Sequence, residues 1–375
     1  MTERTPAEVF PPSVYIREEL EERGWTQADL AEILGVDVSG IVQILNDRRG
    51  ITADTARGLA EAFGTNAETW LRIDARYRLH SASSRPGTRL RAHIYAKAPV
   101  RELVKRGWID GSSNPDVLAQ DVCRFLGIVS LDDTPSPIPH AARKATSYAE
   151  SSPGQIAWLC RVAQLAPAAP VVRPFSPPKL PELVVKLRTL ARNLPDVRRV
   201  PALLAEYGIR FLVVEALPSS KMDGVTYWLD KNSPVIALSL RGGKLNGFWH
   251  TLLHELAHVK NRDGAVVDYD LSFEEGHLPP IEEAANRFAV ETLVDPHHLA
   301  SFINRVGPAY SLTRIIGFAE KMEVHPAIII GQLAYRKEIS WARFGRQLPS
   351  IRELVASTAL TDGWGTALPS LIRKD

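Results

Sequence analysis

The sequence predicts a multi-domain protein: a mainly α-helical N-terminal bundle with a helix-turn-helix, then a connecting region, then an α+β domain with a small sheet. Three observations predict this arrangement. The first 80 residues are short amphipathic segments separated by glycines, and residues 209–240 hold three apolar runs rich in Val, Ile, Phe and Tyr. Between these regions, six prolines crowd residues 167–181. A length of 375 residues is enough for two or three domains.

The composition is that of an ordinary globular protein, with 45% hydrophobic and 23% charged residues. These values exclude a disordered, collagenous or coiled-coil chain. No apolar run reaches the roughly 18–20 residues that cross a bilayer, so we expect no membrane partner. The first ten residues lack an apolar signal core. Only Cys123 and Cys160 occur, which excludes a disulfide framework and predicts a cytoplasmic location.

Two short helices with helix-turn-helix spacing are predicted in the first domain, at residues 27–34 and 40–45. Gly35 ends the first of them and Ser39 is expected to cap the second. Further helices are predicted at residues 13–23, 52–63 and 66–79. An ordinary small helical bundle is the alternative, and the tight glycine turn favours the helix-turn-helix.

The stretch TQADLAEILGVDVSGIVQILNDRRGITADTARGLAEAFGTNAETWLRI resembles the HigA-type branch of the Xre helix-turn-helix repressors and antitoxins. The resemblance covers nearly all of residues 11–80, which we take as the first domain. Residues 51–70 carry the features that distinguish the HigA-type branch from other Xre helix-turn-helix proteins. The resemblance implies operator DNA as a partner, a toxin or an Xre-type repressor as a protein partner, a possible homodimer matching operator symmetry, and a bacterial or phage source.

DNA contacts are expected from the second of these helices and the residues after it, where side chains can reach bases or phosphates. The candidates are Ser39, Gln43, Asn46, Arg48 and Arg49. Residues 13–80 hold 8 Arg and no Lys against 12 Asp plus Glu, a net charge of −4, and Asp37 at the turn opposes phosphate contact. A helix-turn-helix kept for contact with a protein is therefore the alternative.

Residues 81–181 are predicted to be a basic arm, a helical connector and a proline-rich linker. Residues 76–106 carry 9 Lys plus Arg against one Glu, a net charge of +8. This segment either follows a DNA backbone or is a solvated arm. The prolines of residues 167–181 preclude a regular helix, so we place the second domain boundary there.

The second domain, residues 182–375, reads as helices, then strands, then helices. Strands are predicted at residues 209–217, 224–229 and 234–240, and helices at residues 183–193, 197–207, 248–260, 280–294, 296–306, 312–322 and 326–337. We expect the strand at 234–240 to lie at a sheet edge and to pair with an extended peptide.

A metal-binding pattern lies in the helix at 248–260, where residues 254–258 read His-Glu-Leu-Ala-His. Histidines at i and i+4 share one helix face, so both imidazoles can reach one metal ion. Glu255 lies beside them and is placed to take a proton from a metal-bound water. Two hydrogen-bonded core histidines are the alternative. We disfavour it because unpaired imidazoles on a buried helix are costly.

A third ligand is expected from the next helix, which contains IEEAANRFAVETLV. Glu282 borders the apolar face of that helix and lies four residues before Asn286. The alternative is a solvated carboxylate at Glu282. Its neighbour Glu283 is the less favoured ligand.

The two segments FWHTLLHELAHVKN and EEAANRFAVETLVDP resemble the ImmA/IrrE family of zinc-dependent metallopeptidases over roughly residues 195–310. The resemblance implies a zincin-like fold, a Zn²⁺ cofactor, His254, His258 and Glu282 as ligands, and Glu255 as the catalytic general base. Asn286 falls where thermolysin-like enzymes place an acceptor for a ligand histidine. An oxyanion donor is also expected, and Tyr227, Tyr269 and His277 are open candidates.

Together these observations predict a DNA-binding regulator whose zinc site hydrolyses a peptide bond in a repressor or antitoxin-type protein. By resemblance, the setting is stress response, phage control or a toxin–antitoxin system. One alternative is a non-enzymatic antitoxin and autorepressor with a structural or vestigial metal site. Another is a metal-dependent sensor that binds a ligand without cleaving it.

Overall fold

A computed structural model describes residues 9–82, 86–138, 151–264 and 279–363, together with the backbone of residues 266–269. The chain forms two compact units, Met1–Pro86 and Gly87–Asp375. Among the described residues, none of the helices combines the length and apolar character that a bilayer crossing requires.

The first unit is a bundle of five helices around one apolar core. The helices are α1 Pro12–Arg23, α2 Gln27–Leu34, α3 Val38–Leu45, α4 Ala53–Phe63 and α5 Ala67–Ser81. Leu30, Leu59 and Trp70 are among the residues that fill the core. The predicted helix-turn-helix is present as α2 and α3.

Local capping explains where α2 and α3 begin and end. The Thr26 hydroxyl accepts from the backbone N–H of Asp29, whose carboxylate accepts from the backbone N–H of Thr26, and Gly35 ends α2 with a φ of 62°. The prediction that Ser39 caps the next helix is wrong. Asp37 caps it instead, because its carboxylate accepts from the backbone N–H of Ser39, and α3 begins two residues earlier than predicted.

The second unit is built on a five-stranded mixed sheet with the order β4-β2-β3-β1-β5. The strands are β1 Arg210–Val213, β2 Met222–Trp228, β3 Pro234–Leu238, β4 Val266–Tyr269 and β5 Leu360–Thr361. Strand β3 pairs parallel with β1 and antiparallel with β2. The predicted edge strand is therefore central, and both of its hydrogen-bonding sides are occupied. The proposed pairing of residues 234–240 with a peptide is wrong for this reason.

Helices cover both faces of the sheet. Successive side chains of a strand point to opposite faces, so apolar strands such as β3 contribute to a core on each face. Ile236 and Leu238 of β3 enter one core, and Val235 and Ala237 enter the other. The second of these cores is formed with α6 Thr88–Lys97, α7 Val100–Lys105, α8 Pro115–Leu126 and α9 Pro153–Leu165.

The remaining helices cover the face that carries Ile236 and Leu238. They are α10 Leu180–Leu190, α11 Val200–Glu206, α12 Leu245–Asn261, α13 Pro280–Leu293, α14 Pro296–Val306, α15 Leu312–Lys321, α16 Pro326–Tyr335 and α17 Arg352–Ala356. Among them, α12 and α13 pack against each other and carry the metal-binding pattern.

The proline-rich segment differs from its predicted role as a linker, because it does not separate two compact units. Ala169 is buried in the core on one side of the sheet, whereas Phe175 is buried in the core on the other. The backbone N–H of Val172 also donates to the carbonyl of Ala205 at 2.9 Å. The segment thus connects the cores on the two faces of the sheet, within a unit that begins near residue 87.

The predicted basic arm is likewise part of the second unit, apart from its first residues. Arg106 is buried, with a side-chain exposure of 3%, and its guanidinium donates to the carbonyls of Glu215 and Ala216 at 2.7 and 2.9 Å. Lys97 donates to the carbonyl of Asp133 at 2.9 Å. Because these cations are bound within the fold, the net charge of the segment overstates the positive charge that it can present to DNA phosphates.

Candidate functional site

Helix α12 positions the histidine pair because most of its surface is buried. Trp249, Leu252 and Leu256 anchor the helix in the core that lies on one face of the sheet. His254 and His258 are fully buried on the same helix, four residues apart. The helix ends where Arg262 adopts the left-handed conformation, with a φ of 53°. This end turns the following residues back towards the histidines.

Three potential ligand atoms converge between α12 and α13. The Nε2 atoms of His254 and His258 are 3.1 Å apart, and Oε2 of Glu282 lies 3.1 and 3.7 Å from them. Two ligand atoms on a tetrahedral zinc ion at about 2.0–2.1 Å are separated by about 3.3–3.4 Å. The donor set therefore has the size and the chemistry that zinc requires. Glu283 is exposed and takes no part in this cluster.

Each histidine is oriented by an acceptor for its other ring nitrogen. The Nδ1–H of His254 donates to Oδ1 of Asn286 at 3.0 Å, as the position of Asn286 predicts. The Nδ1–H of His258 donates to Oδ2 of Asp263 at 2.9 Å. These acceptors fix the tautomer in which Nε2 carries a lone pair directed at the common point. Sequence reasoning missed Asp263, although its place just past the helix end is a usable signal.

The surroundings of Glu282 favour the ionised form of its carboxyl group. Desolvation by itself raises the pKa of this carboxyl, but hydrogen bonds with His254 and His258 outweigh it and hold the pKa below its ordinary value. Glu282 keeps a side-chain exposure of 15%, so it is the most accessible of the three candidate ligands.

The expected general base, Glu255, is held by strand β2. It is fully buried, and the Thr226 hydroxyl lies 2.6 Å from its Oε2 and 3.0 Å from its backbone oxygen. Gly224 faces the same carboxylate, and a Cβ there would lie 2.1 Å from Oε1 of Glu255. Only glycine allows the strand to approach the carboxylate this closely. Neither residue was singled out from the sequence.

The structure narrows the choice of oxyanion donor. Tyr227 is buried in the core on the opposite face of the sheet from α12, because it alternates with Gly224 and Thr226 along β2. Tyr227 therefore cannot reach the cluster. The side chains of Tyr269 and His277 lie outside the described residues.

A third histidine, His250, precedes His254 by one helical turn and was missed by sequence reasoning. The two rings have centroids 6.2 Å apart. Desolvation, followed by the charge of His254, lowers the pKa of His250 to about 4, so it is neutral at physiological pH.

The five candidate DNA-contact residues of the first unit are all exposed. They are Ser39, Gln43, Asn46, Arg48 and Arg49. Ser39 and Gln43 lie on α3, and Asn46 ends it, while the backbone N–H groups of Arg48 and Arg49 donate to the carbonyl of Gln43. The hydroxyl of Ser39 also donates to Asp37, so part of its hydrogen-bonding capacity is used locally.

Comparison with known proteins places the similarity in this first unit. A helix-turn-helix family model matches residues 16–70. "Virulence-associated protein I" from Dichelobacter nodosus is 42% identical over 74 residues, which is 20% of this chain and 68% of the relative.

Two solved structures are also similar to a part of this chain. One is an addiction module antidote protein of a HigA family from Coxiella burnetii, with 36% identity, covering 19% of this chain and 79% of that one, at a TM-score of 0.19. The other is Pseudomonas aeruginosa antitoxin HigA with higBA promoter, with 32% identity, covering 20% of this chain and 82% of that one, at a TM-score of 0.19.

The family model ends at residue 70, so it describes the first unit and does not extend to the metal-binding pattern. Within that unit the matched residues 16–70 span helices α1 to α4 and the start of α5. By this similarity, the chain belongs to the helix-turn-helix family.

Proposed function

We propose that the protein is a DNA-binding transcriptional regulator whose second unit is a zinc-dependent metallopeptidase of the ImmA/IrrE type. Its substrate would be a repressor or antitoxin-type protein. The observation that carries this proposal is the convergence of His254, His258 and Glu282, with Glu255 on the same helix as the two histidines.

The residues of the cluster divide the chemistry among them. His254, His258 and Glu282 would hold a zinc ion, which would supply Lewis acidity there. Asn286 and Asp263 keep each histidine in the ligand tautomer, and Thr226 orients the carboxylate of Glu255. Glu255 would accept a proton from the water that attacks the peptide carbonyl, and would return it to the nitrogen that leaves as the C–N bond breaks.

DNA binding is supported by the helix-turn-helix match and by the exposure of the five candidate side chains. The net charge of −4 over residues 13–80 limits the sequence-independent part of the affinity. The arginine pair Arg48 and Arg49 therefore carries a larger share of phosphate contact than in a basic domain.

The second candidate function is a non-enzymatic antitoxin and autorepressor with a structural metal site. The full burial of His254, Glu255 and His258 favours it, because structural zinc sites are closed whereas catalytic sites keep an open position.

Metal content is the first test. We expect one zinc per chain by elemental analysis of protein purified without added metal, and we expect His258→Ala to lose it. His298→Ala, which changes an exposed histidine, is the matched control. Zinc retained by His258→Ala would contradict the ligand assignment.

Hydrolysis is the second test. The zinc-loaded protein is incubated with the repressor or antitoxin encoded beside its gene, and fragments are identified by mass spectrometry. We expect cleavage by the wild type and none by Glu255→Gln with zinc still bound. An intact substrate with the wild type would favour the non-enzymatic alternative.

DNA binding is tested by a shift assay on the chain's own promoter. We expect Arg48→Ala with Arg49→Ala to weaken the complex. The control changes another adjacent arginine pair, Arg198 and Arg199, which lies in the second unit. Equal affinity of both double variants would contradict the proposed contact.

A further inference from the structure

A cavity of about 490 Å³ lies beside the metal-binding cluster. Its walls come from the first half of α12, the second half of α13, helix α16 and the end of β3. A volume of this size is typical of sites that bind small molecules or short peptide segments.

The cavity and the cluster are successive parts of one seam between α12 and α13. On α12, His250 and Thr251 line the cavity one turn before His254. On α13, Val290 lines it one turn after Asn286. A ligand that fills the cavity therefore lies next to the residues that would hold zinc.

The walls of the cavity are mostly apolar. Phe248, Leu293, Ile328, Trp341 and Ile351 contribute aromatic or aliphatic side chains. Filling it with an apolar group removes this surface from water, which is the main favourable term in binding.

The amide groups among these walls belong to the fold rather than to the cavity surface. Gln332 has an exposure of 8%, and its Nε2 donates to the carbonyl of Val290 at 3.2 Å, which fixes the orientation of its amide. Its Oε1 and the Oδ1 of Asn246 are buried atoms that do not face the cavity. Polar recognition of a ligand therefore falls to the rim.

The rim of the cavity is basic. Arg241, Lys244 and Arg336 line it together with a single carboxylate, Asp223, which accepts from Arg241 at 2.7 and 2.9 Å. This excess of positive charge favours a ligand with acidic groups on either side of its apolar part.

We propose that this cavity binds a bulky apolar residue of the polypeptide substrate, in a segment flanked by acidic residues. The inference rests on the proposed function, since it names the sequence class that the metal centre would cleave. The specificity of the enzyme would then be set by α16 and the first half of α12 as well as by the zinc ligands.

The test measures binding without hydrolysis, in the full-length Glu255→Gln protein loaded with zinc. The probes are three capped peptides titrated by calorimetry: acetyl-Glu-Leu-Phe-Glu-amide, acetyl-Glu-Ser-Ser-Glu-amide and acetyl-Lys-Leu-Phe-Lys-amide. We expect the first to bind at least about tenfold more tightly than the other two. Equal affinities for all three would overturn the proposal.

A variant that fills the cavity supplies the second measurement. Gly247 lines the cavity, and a Cβ at this position meets no atom within 4 Å, so Gly247→Leu should fold. We expect it to weaken the first peptide at least about tenfold. Gly317→Leu on α15 is the matched control, because a Cβ there also meets nothing within 4 Å. An unchanged affinity in Gly247→Leu would overturn the proposal.

Two results separate this inference from the proposed function. If the peptide binds and Gly247→Leu weakens it, but wild-type protein cleaves no substrate, the cavity assignment stands and the hydrolysis fails. If wild-type protein cleaves its substrate and Gly247→Leu leaves KM unchanged, the cavity assignment fails alone. Binding of the apolar anion 1-anilinonaphthalene-8-sulfonate in the cavity, without binding of any peptide, would also overturn it.

Discussion

The candidate residues of the first unit are exposed, whereas those of the second unit are buried. The five exposed candidates of the first unit lie on α3, a helix of eight residues, and in the four residues that follow it. Around α12, His254, Glu255 and His258 have no exposed surface, and contacts from β2, α13 and the turn after α12 fix their positions.

This difference reflects what the two kinds of site require. Side chains that contact DNA must be exposed and able to change conformation, and they become ordered when the DNA binds. A metal centre must be ordered before its ligand arrives, since an error of a fraction of an ångström changes the chemistry. Substitutions around α12 should therefore have larger effects than substitutions around α3.

The largest effect is expected from Gly224→Ala. The added Cβ would lie 2.1 Å from Oε1 of Glu255, so the carboxylate or the strand must move. We expect hydrolysis to fall by about 10²–10⁴-fold, the usual contribution of general acid–base catalysis. Kinetics and zinc content are measured together, with Gly317→Ala as the control. Wild-type activity in Gly224→Ala would show that β2 does not position the base.

A smaller effect is expected from Asp263→Ala. His258 loses the acceptor that holds its tautomer, and removal of such partners lowers metal affinity about 10–100-fold. Competition with a chelating dye measures the zinc affinity, and Glu283→Ala provides an exposed carboxylate nearby as control. Equal zinc affinity in the two variants would mean that Asp263 does not support the ligand.

At the DNA surface, the expected change is in salt dependence. Each lost phosphate contact lowers the slope of log K against log salt by about 0.9. If Arg48 and Arg49 each contact a phosphate, changing both to Ala reduces the slope by about 1.8. Titrations at several salt concentrations measure it. A slope that stays at the wild-type value would assign the two arginines to bases or to a protein partner.

The smallest effect is expected from Tyr227→Phe. Its side chain lies in the core on the far face of the sheet, so it touches no reacting group. We expect hydrolysis to stay within about twofold of wild type, whereas loss of an oxyanion donor costs about 10²–10³-fold. A loss of that size would indicate that Tyr227 of β2 acts as the oxyanion donor after all.

The convergence of His254, His258 and Glu282 was predictable because a helix repeats its faces. Positions 254 and 258 share one face, and the apolar pattern of the next helix directs Glu282 and Asn286 towards them. Helix α2 was likewise predicted at its observed bounds from Thr26 and Gly35.

The contacts that cross between elements were not predictable in the same way. Thr226 and Gly224 reach Glu255 from a strand some thirty residues earlier in the sequence, and no periodicity links them. The sequence did not predict that β3 is a central strand, because that position depends on β1 and β5, which lie on one side of it in the sheet. Strand β5 has only two residues, too few to show a pattern. Proline density was interpreted as a boundary because it excludes helix, yet an extended path also suits a chain that crosses between layers.

The pairing of β5 with β1 has a consequence for synthesis on the ribosome. Leu360 pairs with Leu212, so the described sheet of the second unit is completed only after residue 361 has emerged from the ribosome. The first unit uses contacts between helices that are close in sequence and can fold long before that point. A translation product that stops before residue 360 would thus carry a finished helix-turn-helix joined to an unfinished sheet.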